Sequence, residues 1–414
     1  MKFLKKSYFL FIFFFISSLI ILINKEFYLI PFIKNIQESN PSMASYLFAY
    51  GNIYRDDLNF LIPRYLNCNL DIIASDAFWF NTYYLLFTPF VKIFGTDYII
   101  GRLFPIFLNT VGLFLIFKAN TNNRLLILSS LILLFCSTFK DSFAFNFHDS
   151  LILFLIGSFL YLKKINSNYY LLTFFVIFSI LSLHYIIIFF IFFFIFDENI
   201  SKKKKIFFLS VLLIFSTLIL FSFYNYLNFE NFILNINKKL WFFDLNFITG
   251  KISEDSLIRM IYLFYAEIRD NLGFISLILY SISFFYFYVK RKNLFYLNIS
   301  SILFYLVFAK QVIPHNFMMM FFLTICFLQI ILLIDDFLKN KKIKILFYLV
   351  IFINIIYINF QNPTVYNMDS NLVEIYQDEN KTISSSDLQK DKIKLYHKCY
   401  FFIENIINNR ELKN

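Results

Sequence analysis

The residues able to carry acid–base or anion chemistry are few in this chain and fall in restricted places. Glu38, Asp56, Asp57, His148, Asp149 and His315 stand in polar gaps between apolar stretches, with Arg102 and Lys310 at the edges of such stretches. A carboxylate so placed can take the proton of an attacking hydroxyl as a general base. Cations beside it can stabilise an anionic leaving group. The candidate bases are Glu38, Asp57 and Asp56; the last two follow Arg55 directly, so pairing with that arginine, or capping a helix, competes with a catalytic role. Arg102, next to Gly101, suits a phosphate if it faces inward and snorkels to the interface if it does not. Lys310 and His315 flank Pro314 and are placed to complete the same cationic site. Asp149 opens an apolar run, where an acid also favours a helix N-terminus, and His148 adjoins it.

What must position these groups is a set of membrane spans. Hydrophobic residues make up 59% of the 414, among them 63 phenylalanines, and mean hydropathy is +0.66. That much apolar surface requires lipid to cover it. Lysine and arginine collect in alternate gaps: Lys5/Lys6, Lys118/Arg124, Lys163/Lys164, Lys202–Lys205, Lys290–Lys292 and Lys339–Lys344. Cations near span ends stay on the cytoplasmic side, so the acids and histidines of the intervening gaps are expected outside. The net charge of +11 is then topological and lipid-facing, and nucleic acid is not an expected partner.

About eleven spans fit the pattern, at roughly 7–24, 99–118, 124–138, 149–162, 169–183, 184–197, 206–224, 273–289, 294–309, 316–335 and 345–360. The expected fold is all-α and integral to the inner (plasma) membrane, with a cytoplasmic N-terminus. Residues 169–197 strain the scheme: one helix there measures about 43 Å, two measure about 21 Å each, against a core of about 30 Å. Two short helices keep Lys202–Lys205 inside, with His184 near their turn. The first run is expected to remain as an uncleaved helix. Two long loops, at roughly 25–98 and 225–272, and a tail over 361–414 complete the outer side of a single domain spanning 1–360. Within the first loop, residues 44–66 and 77–94 have the apolar spacing of helices lying along the interface; 230–270 is interfacial in character as well. The four cysteines show no metal-ligand spacing; Cys68 and Cys399 both fall outside and are available to pair. No motif demands a cofactor, no metal ligands are assigned, and a divalent metal is left open.

Three segments carry a resemblance. Asn59–Arg64 reads NFLIPR, and the run Ala77–Phe117 that goes with it contains Phe94-Gly95 followed by Arg102-Leu103; Ser142–Leu151 reads SFAFNFHDSL, with Asp149 at the mouth of a span; Pro314–Met319 reads PHNFMM. In this order the chain resembles the GT-C class of polyprenyl-phosphate-sugar-dependent membrane glycosyltransferases, the protein mannosyltransferase-like and aminoarabinose transferase-like enzymes, over roughly residues 1–335. The family's acidic pair in the first outer loop aligns with Ser42-Met43, so Glu38 or Asp56/Asp57 would have to substitute. Its His/Lys-Pro element reads Phe80-Asn81-Thr82.

The resemblance implies a GT-C-like helical bundle and an inverting transfer of a sugar from a polyprenyl-phosphate donor to a lipid, glycan or protein acceptor at the outer face. Arg102, His148, Asp149, Lys310 and His315 would position donor phosphate or acceptor. A surface-polysaccharide polymerase or ligase is the alternative, relying on arginines such as Arg259 and Arg269. A transporter or flippase ranks last, because His184 is the one deep ionisable group and there is no repeat.

Overall fold

A computed structural model describes residues 2–22, 64–66, 72–75, 82–94, 98–143, 151–165, 168–183, 186–226, 255–307 and 319–361. Long runs of Leu, Ile and Phe with few glycines or prolines give helices almost throughout. In chain order these are α1 (Lys2–Leu22), α2 (Thr82–Phe94), α3 (Tyr98–Asn120), α4 (Arg124–Ser129) and α5 (Ser137–Ser142). They continue with α6 (Leu151–Lys164), α7 (Tyr169–Ser182), α8 (Ile187–Phe196), α9 (Lys202–Tyr226) and α10 (Asp255–Leu272). The last four are α11 (Phe274–Lys290), α12 (Lys292–Val307), α13 (Met320–Phe337) and α14 (Lys341–Gln361). Among the described residues three helical segments are long and apolar enough to cross a membrane: Arg102–Asn120, Met320–Phe337 and Lys341–Asn359. They mark a membrane protein.

Helices cover each expected apolar run, with two departures from the sequence reading. The run over 124–138 is not one α-helix. The Ser129 and Ser130 hydroxyls donate to the carbonyls of Leu126 and Ile127, both at 2.7 Å. Residues Ser130–Phe135 tighten into a 3₁₀ turn, and Cys136 is extended before α5 begins. Side-chain bonds to the preceding turn accompany the change of pitch there. Secondly, the end of the helix expected over 44–66 is a strand: β1 (Arg64–Leu66) pairs antiparallel with β2 (Ile72–Ser75). Pro63 precedes it and cannot continue a helical ladder.

The chain divides into two compact units. One comprises 22–107, 144–150 and 365–414; the other comprises 1–21, 108–143 and 151–364. In the first, α2 and the start of α3 pack through aromatic rings. Phe104 meets Tyr83, Phe87 and Phe90 at centroid distances of 5.4, 5.3 and 4.9 Å, a spacing at which ring quadrupoles attract.

The second unit is organised around α13, in which every residue from Met320 to Ile334 is buried. A helix buried all round is a central helix; α11, α12 and α14 pack against it. Elsewhere in the unit, α3 and α6 meet at Gly112 and Gly157, where a Cβ on Gly112 would lie 2.3 Å from the Leu153 backbone. Small residues permit that approach, as in other membrane helix pairs.

The strained stretch resolves as two helices. Leu183 leaves the helical conformation and ends α7. Tyr169 at the start of α7 packs tilted against Phe208 of α9 at 5.3 Å, and Phe194 near the end of α8 stacks on the same ring at 4.3 Å. The chain therefore turns back on itself between them. His184 lies outside the described residues.

Candidate functional site

Side-chain links at the helix ends of the second unit sort into two sets. The first joins the lysine-rich gaps to one another. Lys164 Nζ donates to the Lys118 carbonyl at 2.8 Å and to Asn122 at 3.0 Å. Lys163 pairs with the buried Asp197. Glu198 receives Tyr296 OH at 2.9 Å and faces Lys292 at 3.5 Å. Arg291 pairs with Asp336, and Lys344 with Asp335.

The second set joins other helix ends. Here α10 packs along α14 and leads into α11 through Gly273. Gly273 has φ +90°, a conformation that favours glycine, and the Leu272 carbonyl beside it accepts from Asn354 at 3.1 Å. The chain breaks before α5, leaving the first amides of that helix without intrahelical partners. Asn359 Oδ1 takes Ser137 N–H at 2.5 Å, and Asn271 Oδ1 takes Thr138 N–H at 3.0 Å. Helix α5 is thus capped by amides from two distant helices.

Glu267 sits inside this set with 6% of its surface exposed. Its Oε2 accepts from Asn271 Nδ2 at 2.9 Å and from the Thr138 hydroxyl at 3.4 Å. Burial raises the carboxyl's pKa, the negative charge of Asp270 raises it further, and the two hydrogen bonds lower it, leaving it at about 7. A carboxyl poised there exchanges its proton near neutrality, the property required of a general acid or base. Helix α10 is amphipathic and is not among the helices fit to cross a membrane.

Of the sequence-predicted site residues, Arg102 alone is described. It is 2% exposed, so its guanidinium does not snorkel to water. It lies in the first unit, one turn into α3. Glu38, Asp56, Asp57, His148, Asp149, Lys310 and His315 lie outside the described residues, as do Cys68 and Cys399. Arg269 bonds Asp270 through both carboxylate oxygens, at 2.6 and 3.1 Å. Among the described residues no three His, Cys, Asp or Glu side chains group to hold a metal ion.

The Glu267 network escaped sequence reasoning. Its only signals are Glu267 and Asn271 one helical turn apart, and two lone amides, Asn354 and Asn359, in an apolar run. Compared with protein-family models, with curated proteins and with solved structures, the chain matches none of them.

Proposed function

We propose that this is an integral-membrane glycosyltransferase of the GT-C kind, a bundle of about eleven crossings. It moves a sugar from a polyprenyl-phosphate donor to a lipid, glycan or protein acceptor at the outer face of the inner membrane. The single observation that supports this most is the segregation of helix-end links. Lysine gaps link with lysine gaps, while the ends expected outside, those near 138, 271 and 359, link with each other around Glu267. Such sorting is what the positive-inside pattern requires if chemistry is kept to one face. Two of the three segments that carry the resemblance lie in gaps that the charge pattern puts outside, near 148 and 315; the third carries Arg102.

In this reading a first-loop acid, Glu38 or Asp57 with Asp56, takes the acceptor proton. Arg102 with His148, Asp149, Lys310 and His315 holds the donor phosphate or the acceptor. The protein reconstituted in liposomes with polyprenyl-phosphate sugars is expected to transfer sugar. Glu38→Gln or Asp57→Asn is expected to reduce the rate by roughly a hundredfold or more, the scale of general-base loss. Absence of transfer and of binding with every donor overturns the reading. A surface-polysaccharide polymerase or ligase predicts the reverse dependence, on Arg259 and Arg269. The two-point bond from Arg269 to Asp270 already occupies that guanidinium.

A further inference from the structure

At the lysine-rich end of the second unit the helices leave a cavity of about 690 Å³. Lys163, Lys164 and Lys204 line it, and no acidic residue does among the described residues. Lys163 is balanced by Asp197, but neither Lys164 nor Lys204 has a carboxylate partner among the described residues. Lys204 Nζ instead lies over the Tyr169 ring at 5.7 Å, and Lys163 over Phe193 at 4.8 Å. Aromatic faces hold an ammonium in place without neutralising it. Asn120, Asn199 and Asn293 add neutral hydrogen-bonding groups to the wall.

Two helix starts also face this space. Tyr169 opens α7 and Ser201 immediately precedes α9, and both line the cavity. Helix N-termini carry partial positive charge and unpaired N–H groups. Helix α9 nonetheless begins with four consecutive lysines, the arrangement its dipole disfavours. An anion in the cavity relieves both repulsions at once.

The cavity's surroundings indicate where that anion comes from. The outward faces of the same two helices are apolar and exposed: Leu171 and Phe174 on α7, Ile206 and Phe207 on α9. Tyr169 and Phe207 touch at 5.0 Å, so the apolar strip reaches the cavity's edge. A phosphate with acyl chains fits both parts; a free phosphate uses only one.

We infer that this cavity is a binding site for the phosphate headgroup of an anionic phospholipid, whose chains lie along α7 and α9. The inference does not depend on the transferase reading. Basic pockets between membrane helices recognise anionic headgroups, and each lysine near such a charge contributes about fivefold in affinity.

The test uses the full chain in detergent with equal amounts of phosphatidylglycerol and phosphatidylcholine, retained lipids being counted by native mass spectrometry. Preferential retention of phosphatidylglycerol is expected. The double variant Lys164→Gln/Lys204→Gln is expected to lower it about 25-fold, two fivefold steps, while Lys341→Gln/Lys342→Gln, outside the cavity, leaves it within about twofold. Ser201→Glu, on an exposed position at the rim, should also lower retention, and Lys204→Arg should preserve it. These two keep the result readable if the double variant folds poorly, which its thermal midpoint reports. Equal losses in both double variants reduce the effect to diffuse surface charge and overturn the site. Millimolar inorganic phosphate shielding Lys164 and Lys204 from acylation, with no preference between the two lipids, overturns the lipid assignment in favour of a free anion.

Discussion

Two buried polar networks in the second unit both join helices through side-chain amides, and they differ in what stands at the centre. At the contact of α11, α12 and α13, Asn298 donates to Tyr280 OH at 2.8 Å and to Gln329 Oε1 at 3.0 Å. Gln329 Nε2 donates to the Leu294 carbonyl at 3.0 Å, and Ser283 bridges Tyr280 and Gln329. Asn298, Ser283 and Gln329 have no exposed surface. Every member is neutral, and each amide finds a partner, which is how membrane helices are fastened together. The Glu267 network also ties three helices through amides, but an acid occupies its centre. A closed neutral set fixes structure at any pH; a set holding a carboxyl near its titration point does not.

The largest expected effect tests that difference directly. Glu267 has a folded-state pKa of about 7, above its ordinary value of 4.5. Between those values the folded protein holds a proton that the unfolded chain has released, so stability falls as pH rises through this window. The total loss is on the order of 3 kcal/mol, since each pH unit between the two values is worth about 1.4 kcal/mol. Unfolding in mixed micelles at pH 4.5, 6 and 8 should show this slope, and Glu267→Gln should flatten it while raising stability at pH 8. A slope unchanged by the substitution would assign the titration to another group.

Next in size is damage to the neutral network. Gln329→Met keeps the volume but leaves an Asn298 side-chain N–H unpaired and removes the second hydrogen bond to the Leu294 carbonyl. The cost should be about 2 kcal/mol, the penalty for orphaning buried polar groups, and it should be the same at pH 5 and pH 8. A cost that varies with pH would mean that the two networks are coupled and that their separation here is false.

How much of this was legible in the sequence follows from the distance between partners. The apolar runs gave helices where expected, and the turn between α7 and α8 followed from length against membrane thickness and from the lysines at 202–205. Lone amides such as Asn298, Gln329 and Asn359 stand out in apolar runs, since burying them unpaired is costly. Their partners do not stand out. Ser137 and Asn359 are 222 residues apart, and no local rule links a serine after a cysteine to an asparagine near the end of another helix. The pitch change at Ser129 and Ser130 was hidden for a different reason: serine hydroxyls bond the preceding turn in regular helices as well, as Ser179 does in α7. Of the candidate site, Arg102 was singled out in the sequence and is buried in the structure; Glu267 was not singled out, because its altered acidity comes from burial rather than from sequence neighbours.

The smallest effect sharpens the comparison most. Ser283 donates to the Tyr280 carbonyl at 2.7 Å and reaches Gln329 at only 3.4 Å. Its hydroxyl is thus satisfied within its own helix, and its link across the contact is marginal. Thr138 makes a cross-helix contact of equal length to Glu267, but there the acceptor carries charge whenever Glu267 is ionised. Ser283→Ala should cost about 0.5 kcal/mol, near the low end for a membrane hydrogen bond, regardless of pH. Thr138→Val should cost little at pH 5 and more at pH 8, because a bond to a charged acceptor is worth about twice a neutral one. Parallel unfolding curves for the two variants at both pH values would mean that Glu267 remains protonated throughout, and that its network is as structural as the other.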